Sequence, residues 1–171
     1  IYLNEVYGMD VKSIGFYAWV PYVGAMLGAW FGGLLAQNRI KAGWTVNKTR
    51  KFIITLGCVI MLPMLLAMAN PGGPEIAVLY MAVILFGFQT AIGNVQTLPS
   101  DLFGGKTVGT LSGFAGMAAK LGAFGLTALV PWLTSGGNYT PAFVIGAALA
   151  IITMGSVWIL IPKIEALKSD K

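Results

Sequence analysis

The segment VGTLSGFAGMAAKLGAFGLTALVPWL, residues 108–133, decides the fold class of this chain. At 1.5 Å per residue, a helix of this length crosses a hydrocarbon core of ~30 Å. Its single charge, Lys120, falls near the middle, where a cation costs roughly 2.5–3.5 kcal/mol. Snorkelling to the interface suits a lysine near the end of a span, not one in this position. The segment therefore predicts a membrane helix in which Lys120 faces protein, water or an anion.

The composition extends this prediction to the whole chain. Of the 171 residues, 57% are hydrophobic and only 10% are charged, against ~25% charged residues in a soluble domain. Apolar segments separated by glycine-rich and proline-rich turns predict an all-α polytopic membrane protein. We expect five complete spans, at residues 13–36, 52–69, 75–99, 108–133 and 140–162. Residues 1–3 resemble the end of a sixth, and the start at Ile1 without a signal peptide predicts a piece of a longer protein.

The same composition argues against an enzyme. The chain has no histidine, which removes the commonest general base and an imidazole metal site. Ser112 and Lys120 could be imagined as the pair of a membrane hydrolase, but eight residues separate them by two helical turns. The single Cys58 allows no intrachain disulfide. We therefore predict no catalytic residue, no cofactor and no metal.

The basic residues predict the orientation. Nine of the eleven fall on one side of the predicted membrane, in the loops after the first and third spans and after the fifth. The positive-inside rule then places the amino end outside and the carboxyl end in the cytoplasm. Topology accounts for the net charge of +5, so we predict no nucleic-acid partner.

The predicted spans differ in kind. The second and fifth are almost wholly apolar, which predicts lipid around most of their surface. The first carries Gly24, Gly28 and Gly32 at four-residue spacing, a stripe of small residues that predicts close approach of a neighbouring helix. The fourth carries a second glycine stripe, formed by Gly109, Gly113 and Gly116 with Ala123. Lys120 falls on the same face of the helix as these small residues.

The third span carries a polar arc that we interpret as part of a solute pathway. Polar side chains inside a membrane face protein or water. Interhelical hydrogen bonds, worth ~0.6 kcal/mol each, are the alternative. Three amides and two threonines on one side favour the pathway. The candidate binding residues are Gln89, Asn94 and Gln96 in this span, together with Lys120 in the fourth span.

Other candidates lie near the ends of spans. Tyr17 and Tyr22 in the first span could present a hydroxyl to a sugar, the alternative being an aromatic belt at the interface. Asp101 follows the third span, where a negative charge opposes the helix dipole. We expect Lys106 or a basic group from outside this chain to compensate it.

Three stretches resemble the major facilitator superfamily, and within it the anion:cation symporter family of sugar-acid transporters. Residues 93–103, GNVQTLPSDLF, resemble the exit of its tenth helix, and residues 108–116, VGTLSGFAG, the start of its eleventh. Residues 32–44, GGLLAQNRIKAGW, resemble a cytoplasmic loop motif of the superfamily, with Gln37 in place of the usual Asp and Asn38 in place of a basic residue.

This resemblance implies the carboxyl-terminal, six-helix half of a twelve-helix transporter whose upstream half is missing. The substrate site would lie between the halves near the midplane. Asn94 falls where the family places a substrate-contacting amide, and the gating residues would be Asp101, Arg39 and Lys41.

The implied function is secondary active transport across a bacterial inner membrane by alternating access. A small organic anion, with a sugar acid such as a hexuronate or aldonate favoured, would enter by symport with a proton. One alternative is an antiporter of organophosphates or other anions on the same fold. Another is a polytopic scaffold or sensor that does not transport.

Overall fold

The computed structural model describes residues 2–103, 107–134 and 137–164, and these ranges contain helices and short connections without a strand. Five helical stretches in them are long and apolar enough to cross a membrane, as predicted, and a short helix precedes them. The helices are α1 (Tyr2–Tyr7), α2 (Val11–Tyr17), α3 (Trp19–Lys41), α4 (Val46–Ala67), α5 (Pro74–Gln96), α6 (Leu98–Leu102), α7 (Thr107–Leu133) and α8 (Thr140–Ile159). The spans are α2 with α3, then α4, α5 with α6, α7 and α8.

The helices extend further at the basic end than hydropathy predicts. Helix α3 continues to Lys41, and α4 begins at Val46, where the Thr45 hydroxyl accepts a hydrogen bond from the Lys48 backbone N–H at 3.2 Å. Lys48 and several other basic residues therefore lie on helices and not in a long loop. Hydropathy follows the hydrocarbon core, whereas helical hydrogen bonding continues into the headgroup region, where charged side chains are solvated.

A proline separates the two parts of the first span. Pro21 has no N–H to donate to the carbonyl of Tyr17, so the hydrogen-bond ladder is interrupted there. Helix α2 accordingly ends at Tyr17, and α3 begins at Trp19. The interruption lies between Tyr17 and Tyr22, the two tyrosines that the sequence nominates for solute contact.

The predicted glycine stripe of the first span packs against α5. A Cβ added to Gly32 would lie 2.9 Å from the carbonyl oxygen of Thr90, and one added to Gly28 would overlap the backbone of Phe86. The prediction of close helix approach is confirmed. We call this contact the α3–α5 seam; it comprises Gly24, Gly28 and Gly32 against Ala82, Phe86 and Thr90.

Helix α4 lies at the centre of the described bundle. Gly57 and Gly87 bring α4 and α5 together, since a Cβ on either would lie within 2.6 Å of the other's carbonyl oxygen. Eight residues of α4 are buried, and it also packs against α8. The other 14 of its 22 residues are not buried among the described helices, so the prediction of lipid around most of α4 stays a prediction.

Helix α7 stands apart from this cluster. None of its residues is buried, and its main contacts in the described part of the chain are with α6 and α8. A Cβ added to Gly109, Gly113 or Gly116 would meet no neighbouring atom of the described residues within 4 Å. The second glycine stripe therefore has no partner among the described residues.

The seam predicts a position-specific effect of a side chain on folding. Gly28→Val in the full-length protein should reduce the yield of monodisperse protein, because overpacking costs at least ~1–3 kcal/mol and here the obstacle is backbone. Gly33→Val is the matched control on the same helix, where an added Cβ meets no atom of the described residues within 4 Å. Size-exclusion profiles in detergent compare the two, and equal profiles would contradict the tight seam.

Candidate functional site

Two side chains of the polar arc of α5, those of Thr90 and Asn94, form hydrogen bonds within the chain. The Thr90 hydroxyl lies 2.8 Å from the Phe86 carbonyl oxygen of its own helix and 3.0 Å from that of Gly28 in α3. One turn later, the Asn94 side-chain amide donates to the Thr90 carbonyl at 3.1 Å. Thr90 is fully buried and Asn94 is 3% exposed. The Thr90 hydroxyl therefore joins α5 to α3, whereas the Asn94–Thr90 hydrogen bond lies within α5.

The network ends on an ion pair that connects α4 to the end of the third span. Arg50 Nη1 donates to Asn94 Oδ1 at 2.8 Å, and Arg50 Nε donates to Asp101 Oδ2 at 2.8 Å. The two ionic side chains are 15% and 18% exposed. Arg50 of the same chain thus compensates Asp101, which corrects the expectation of a basic group from outside this chain. The other expected group, Lys106, lies outside the described residues.

Arg50 is the residue of this network that the sequence did not indicate. Hydropathy and the positive-inside rule place Arg50 in a cytoplasmic loop, whereas in the structure Thr45 caps α4 five residues before it. With the helix beginning at Val46, Arg50 lies in its second turn and can reach α5. No sequence signal indicated that Asp101, 51 positions away, would be its partner.

Two of the three candidate amides, Gln89 and Gln96, have no hydrogen-bond partner among the described residues. Gln96 is exposed and Gln89 is half-buried in the described chain, and no hydrogen bond of either side chain to another described residue is found. Their donor and acceptor atoms are therefore free to meet a solute or another part of the protein. Asn94 differs from them, because its oxygen and nitrogen already serve Arg50 and Thr90.

The two candidate tyrosines are placed differently. Tyr17 is half-buried and packs edge-on against Phe16, with 5.4 Å between ring centroids. Tyr22 is 72% exposed on α3. The structure does not join either tyrosine to the network around Arg50.

The three candidate gating residues are also placed in different surroundings. The Arg39 guanidinium lies over the Trp44 ring, 4.9 Å from its centroid, whereas Lys41 is exposed at the end of α3. Asp101 is paired with Arg50 and not with either of them. The three residues share the basic end of the bundle but form no common contact among the described residues.

Lys120 occupies the middle of the span that lacks buried residues. It is exposed, and within the described ranges its ammonium has neither a hydrogen bond nor an ion pair. Thirteen residues of α7 precede it and thirteen follow it. A cation at this depth requires cover from protein, water or an anion, and the described helices do not supply it.

The opposite end of the bundle carries a contact between α1 and α8. The Tyr139 hydroxyl donates to Glu5 at 2.5 Å, and Tyr2 packs edge-on against Tyr139 and Phe143. The hydrogen bond to Glu5 raises the pKa of Tyr139, because ionisation would remove the proton that the hydroxyl donates. The contact fixes the short helix before the first complete span against the start of the last one.

Comparison with known proteins identifies the family. Residues 1–125 match the sequence profile described as "Major Facilitator Superfamily". The chain belongs to the major facilitator superfamily. The five apolar helical stretches in its described residues make it a multi-pass membrane protein with the all-α architecture of a half-domain of that superfamily.

The relatives of this superfamily member carry related names. The chain is 29% identical over 170 residues to the "Hexuronate transporter" of Escherichia coli K12, covering 98% of the chain and 39% of the relative. It is 26% identical to the "D-galactonate transporter" of Escherichia coli O6:H1, covering 96% of the chain and 38% of the relative. It is 25% identical to the "Probable galactarate/D-glucarate transporter GudP" of Escherichia coli K12, covering 81% and 36%. The chain thus spans about two fifths of the length of these relatives.

Proposed function

We propose that this chain is the carboxyl-terminal half of a secondary active transporter that carries an organic anion by alternating access. We favour a sugar acid such as a hexuronate or aldonate, because the relatives above are named for such acids. The proposal includes an upstream half, since the chain spans only about two fifths of those relatives. It assigns no catalytic role to any residue.

Lys120 is the observation that carries this proposal. A cation in the middle of a span without buried residues is stable in a membrane only if something polar covers it. A substrate carboxylate at the interface between two halves would provide that cover at the depth where such transporters bind their solutes.

The open polar side chains complete the proposed site. We assign Gln89 and Gln96 to the hydroxyl groups of the solute, because their amides have no partner within the described residues. Tyr22 and Tyr17 are further candidates, of which Tyr22 is the more exposed. We assign Asn94 a supporting role, because its buried amide holds Arg50 in place.

We propose proton symport with the coupling carboxylate in the upstream half. The four acidic residues in the described ranges lie near helix ends: Glu5, Asp10, Glu75 and Asp101. Glu165 and Asp170 lie outside the described residues, beyond the last span. A carboxylate at mid-membrane would therefore have to come from elsewhere in the protein.

Uptake by proteoliposomes containing the full-length protein tests the proposal. We expect labelled glucuronate or galactonate to accumulate under an inward proton gradient, and a protonophore to abolish the accumulation. Exchange of an internal anion for a hexose phosphate, without a gradient, would instead identify an antiporter. Binding without uptake of any of these solutes would favour a sensor.

The proposed topology, in the bacterial inner membrane with a cytoplasmic carboxyl end, predicts which cysteines label from outside. An impermeant thiol reagent should reach Asn70→Cys in intact cells but reach Ala42→Cys only after permeabilisation. Both positions are exposed, and the native Cys58 is fully buried, so it gives little background. Labelling of Ala42→Cys alone in intact cells would reverse the proposed orientation.

A further inference from the structure

A cavity of about 450 Å³ opens at the basic end of the bundle, between the start of α4 and the end of α8. This volume is within the ~300–1,000 Å³ range of small-ligand sites. Its lining combines cations with amphipathic aromatic rings. The residues that matter for its chemistry are Trp44, Asn47, Lys48, Lys51, Thr55 and Trp158.

Lys51 is a buried cation with spare donors. It is 5% exposed; its ammonium donates to the Pro162 carbonyl at 3.0 Å and lies 5.0 Å from the centroid of a Trp158 ring. An ammonium carries three donors, and no carboxylate among the described residues forms an ion pair with it. A buried cation in this condition favours an anionic ligand.

A second cation and two indoles complete the walls. The Lys48 ammonium lies 4.3 Å from the centroid of a Trp44 ring. The Trp158 indole N–H donates to Thr55 Oγ1 at 3.0 Å, which fixes the opposite wall. Tryptophans paired with lysines are typical of the headgroup level of a membrane. The cavity therefore lies where a lipid headgroup would be found.

The backbone after α8 is held beside the cavity. Asn47 Oδ1 accepts a hydrogen bond from the Ile164 backbone N–H at 3.1 Å, and Pro162 is fixed by Lys51. These contacts connect the start of α4 to the segment that follows α8. The cavity is thus a defined part of the fold.

An exposed apolar row leads away from the cavity along α4. Phe52, which lines the cavity, is followed at seven-residue intervals by Val59 and Leu66, and these side chains are 37%, 50% and 56% exposed. Residues seven apart lie on one side of a helix. A free phosphate would leave this row unused, whereas an acyl chain would cover it.

We infer that this cavity binds the phosphate of an anionic phospholipid, with an acyl chain along the α4 row. Lys51 binds the phosphate inside the cavity, and Lys48 supplies the second positive charge at its rim. Basic pockets between membrane helices bind anionic headgroups in this way. This site is independent of the proposed transport activity.

Native mass spectrometry of the full-length protein in mixed micelles tests the inference. The protein is titrated with phosphatidylglycerol or with phosphatidylcholine, and retained lipids are counted. We expect phosphatidylglycerol to bind preferentially, and Lys51→Gln to weaken its binding roughly tenfold or more, the scale of one charge-assisted hydrogen bond. Lys12→Gln is the charge-matched control, because Lys12 lies in α2 at the end of the bundle opposite the cavity.

Further variants keep the test decisive. Because Lys51→Gln could impair folding, Lys48→Gln provides a second test at an exposed position and should also weaken retention of phosphatidylglycerol. Equal retention of both lipids, or equal loss in Lys12→Gln, would overturn the inference. Displacement of phosphatidylglycerol by inorganic phosphate would overturn the assignment to a lipid.

Discussion

Replacing Lys120 by glutamine in the full-length protein should abolish the rise in melting temperature that glucuronate produces. The ammonium is at the centre of α7 and has no partner in the described part of the chain, and we propose a substrate carboxylate as its counter-charge. Loss of a charge-assisted hydrogen bond costs ~1.5–3 kcal/mol, or roughly 10- to 150-fold in affinity. Lys120→Arg should retain part of the ligand response because it keeps the charge. Thermal melting with and without glucuronate measures both variants.

The apo protein provides the decisive comparison. If Lys120 instead pairs with a buried carboxylate of the upstream half, Lys120→Gln strands that carboxylate and costs ~3–5 kcal/mol of stability. A collapsed melting temperature of the apo protein with a normal ligand response would therefore refute the substrate assignment. Ser112→Ala, two turns earlier on α7, is the control and should change neither quantity. Loss of ligand response in Ser112→Ala would require a different site on this helix.

Removing Arg50 should cause the largest loss of stability among substitutions at the basic end of the bundle. Arg50→Met keeps the aliphatic stem but leaves Asp101 without its cation and Asn94 Oδ1 without its donor. Breaking a largely buried pair by removing one partner costs about 3 kcal/mol. We expect a clear drop in the melting temperature of the purified protein.

A double variant separates the ion pair from other effects of the substitution. Arg50→Met combined with Asp101→Asn should be more stable than Arg50→Met alone, because the stranded charge is gone, and coupling of such neighbours is ~0.5–3 kcal/mol. Lys41→Gln, at an exposed site of the same end, should change stability by no more than ~0.5 kcal/mol. An unchanged melting temperature in Arg50→Met would show that the pair behaves like a solvent-exposed one.

The features that sequence predicted best are those in which one helix carries its own signal. The four-residue spacing of Gly24, Gly28 and Gly32 predicts a closely packed neighbouring helix, and that helix is α5. The length and apolarity of the spans are likewise local properties, so their number and order followed from hydropathy. The isolated charge of Lys120 marked α7 for the same reason.

The remaining features depend on which helices meet. Asn94 and Gln96 belong to one polar arc in sequence, yet one is buried against Arg50 and the other is exposed. Only the packing of α4 against α5 separates them, and periodicity in a single helix carries no information on it. Hydropathy likewise does not distinguish the side of α4 that packs against α5 and α8 from a side that faces lipid.

The glycine contacts of α3 and α4 with α5 have a mechanical consequence. Where backbone lies against backbone, no side chain is available to change rotamer and absorb a displacement, so sliding one helix along another would disrupt the whole contact. The three helices should therefore move as one stiff body during any conformational cycle. Helix α7, held mainly by α6 and α8, lacks such a clamp and can tilt with little resistance from this cluster.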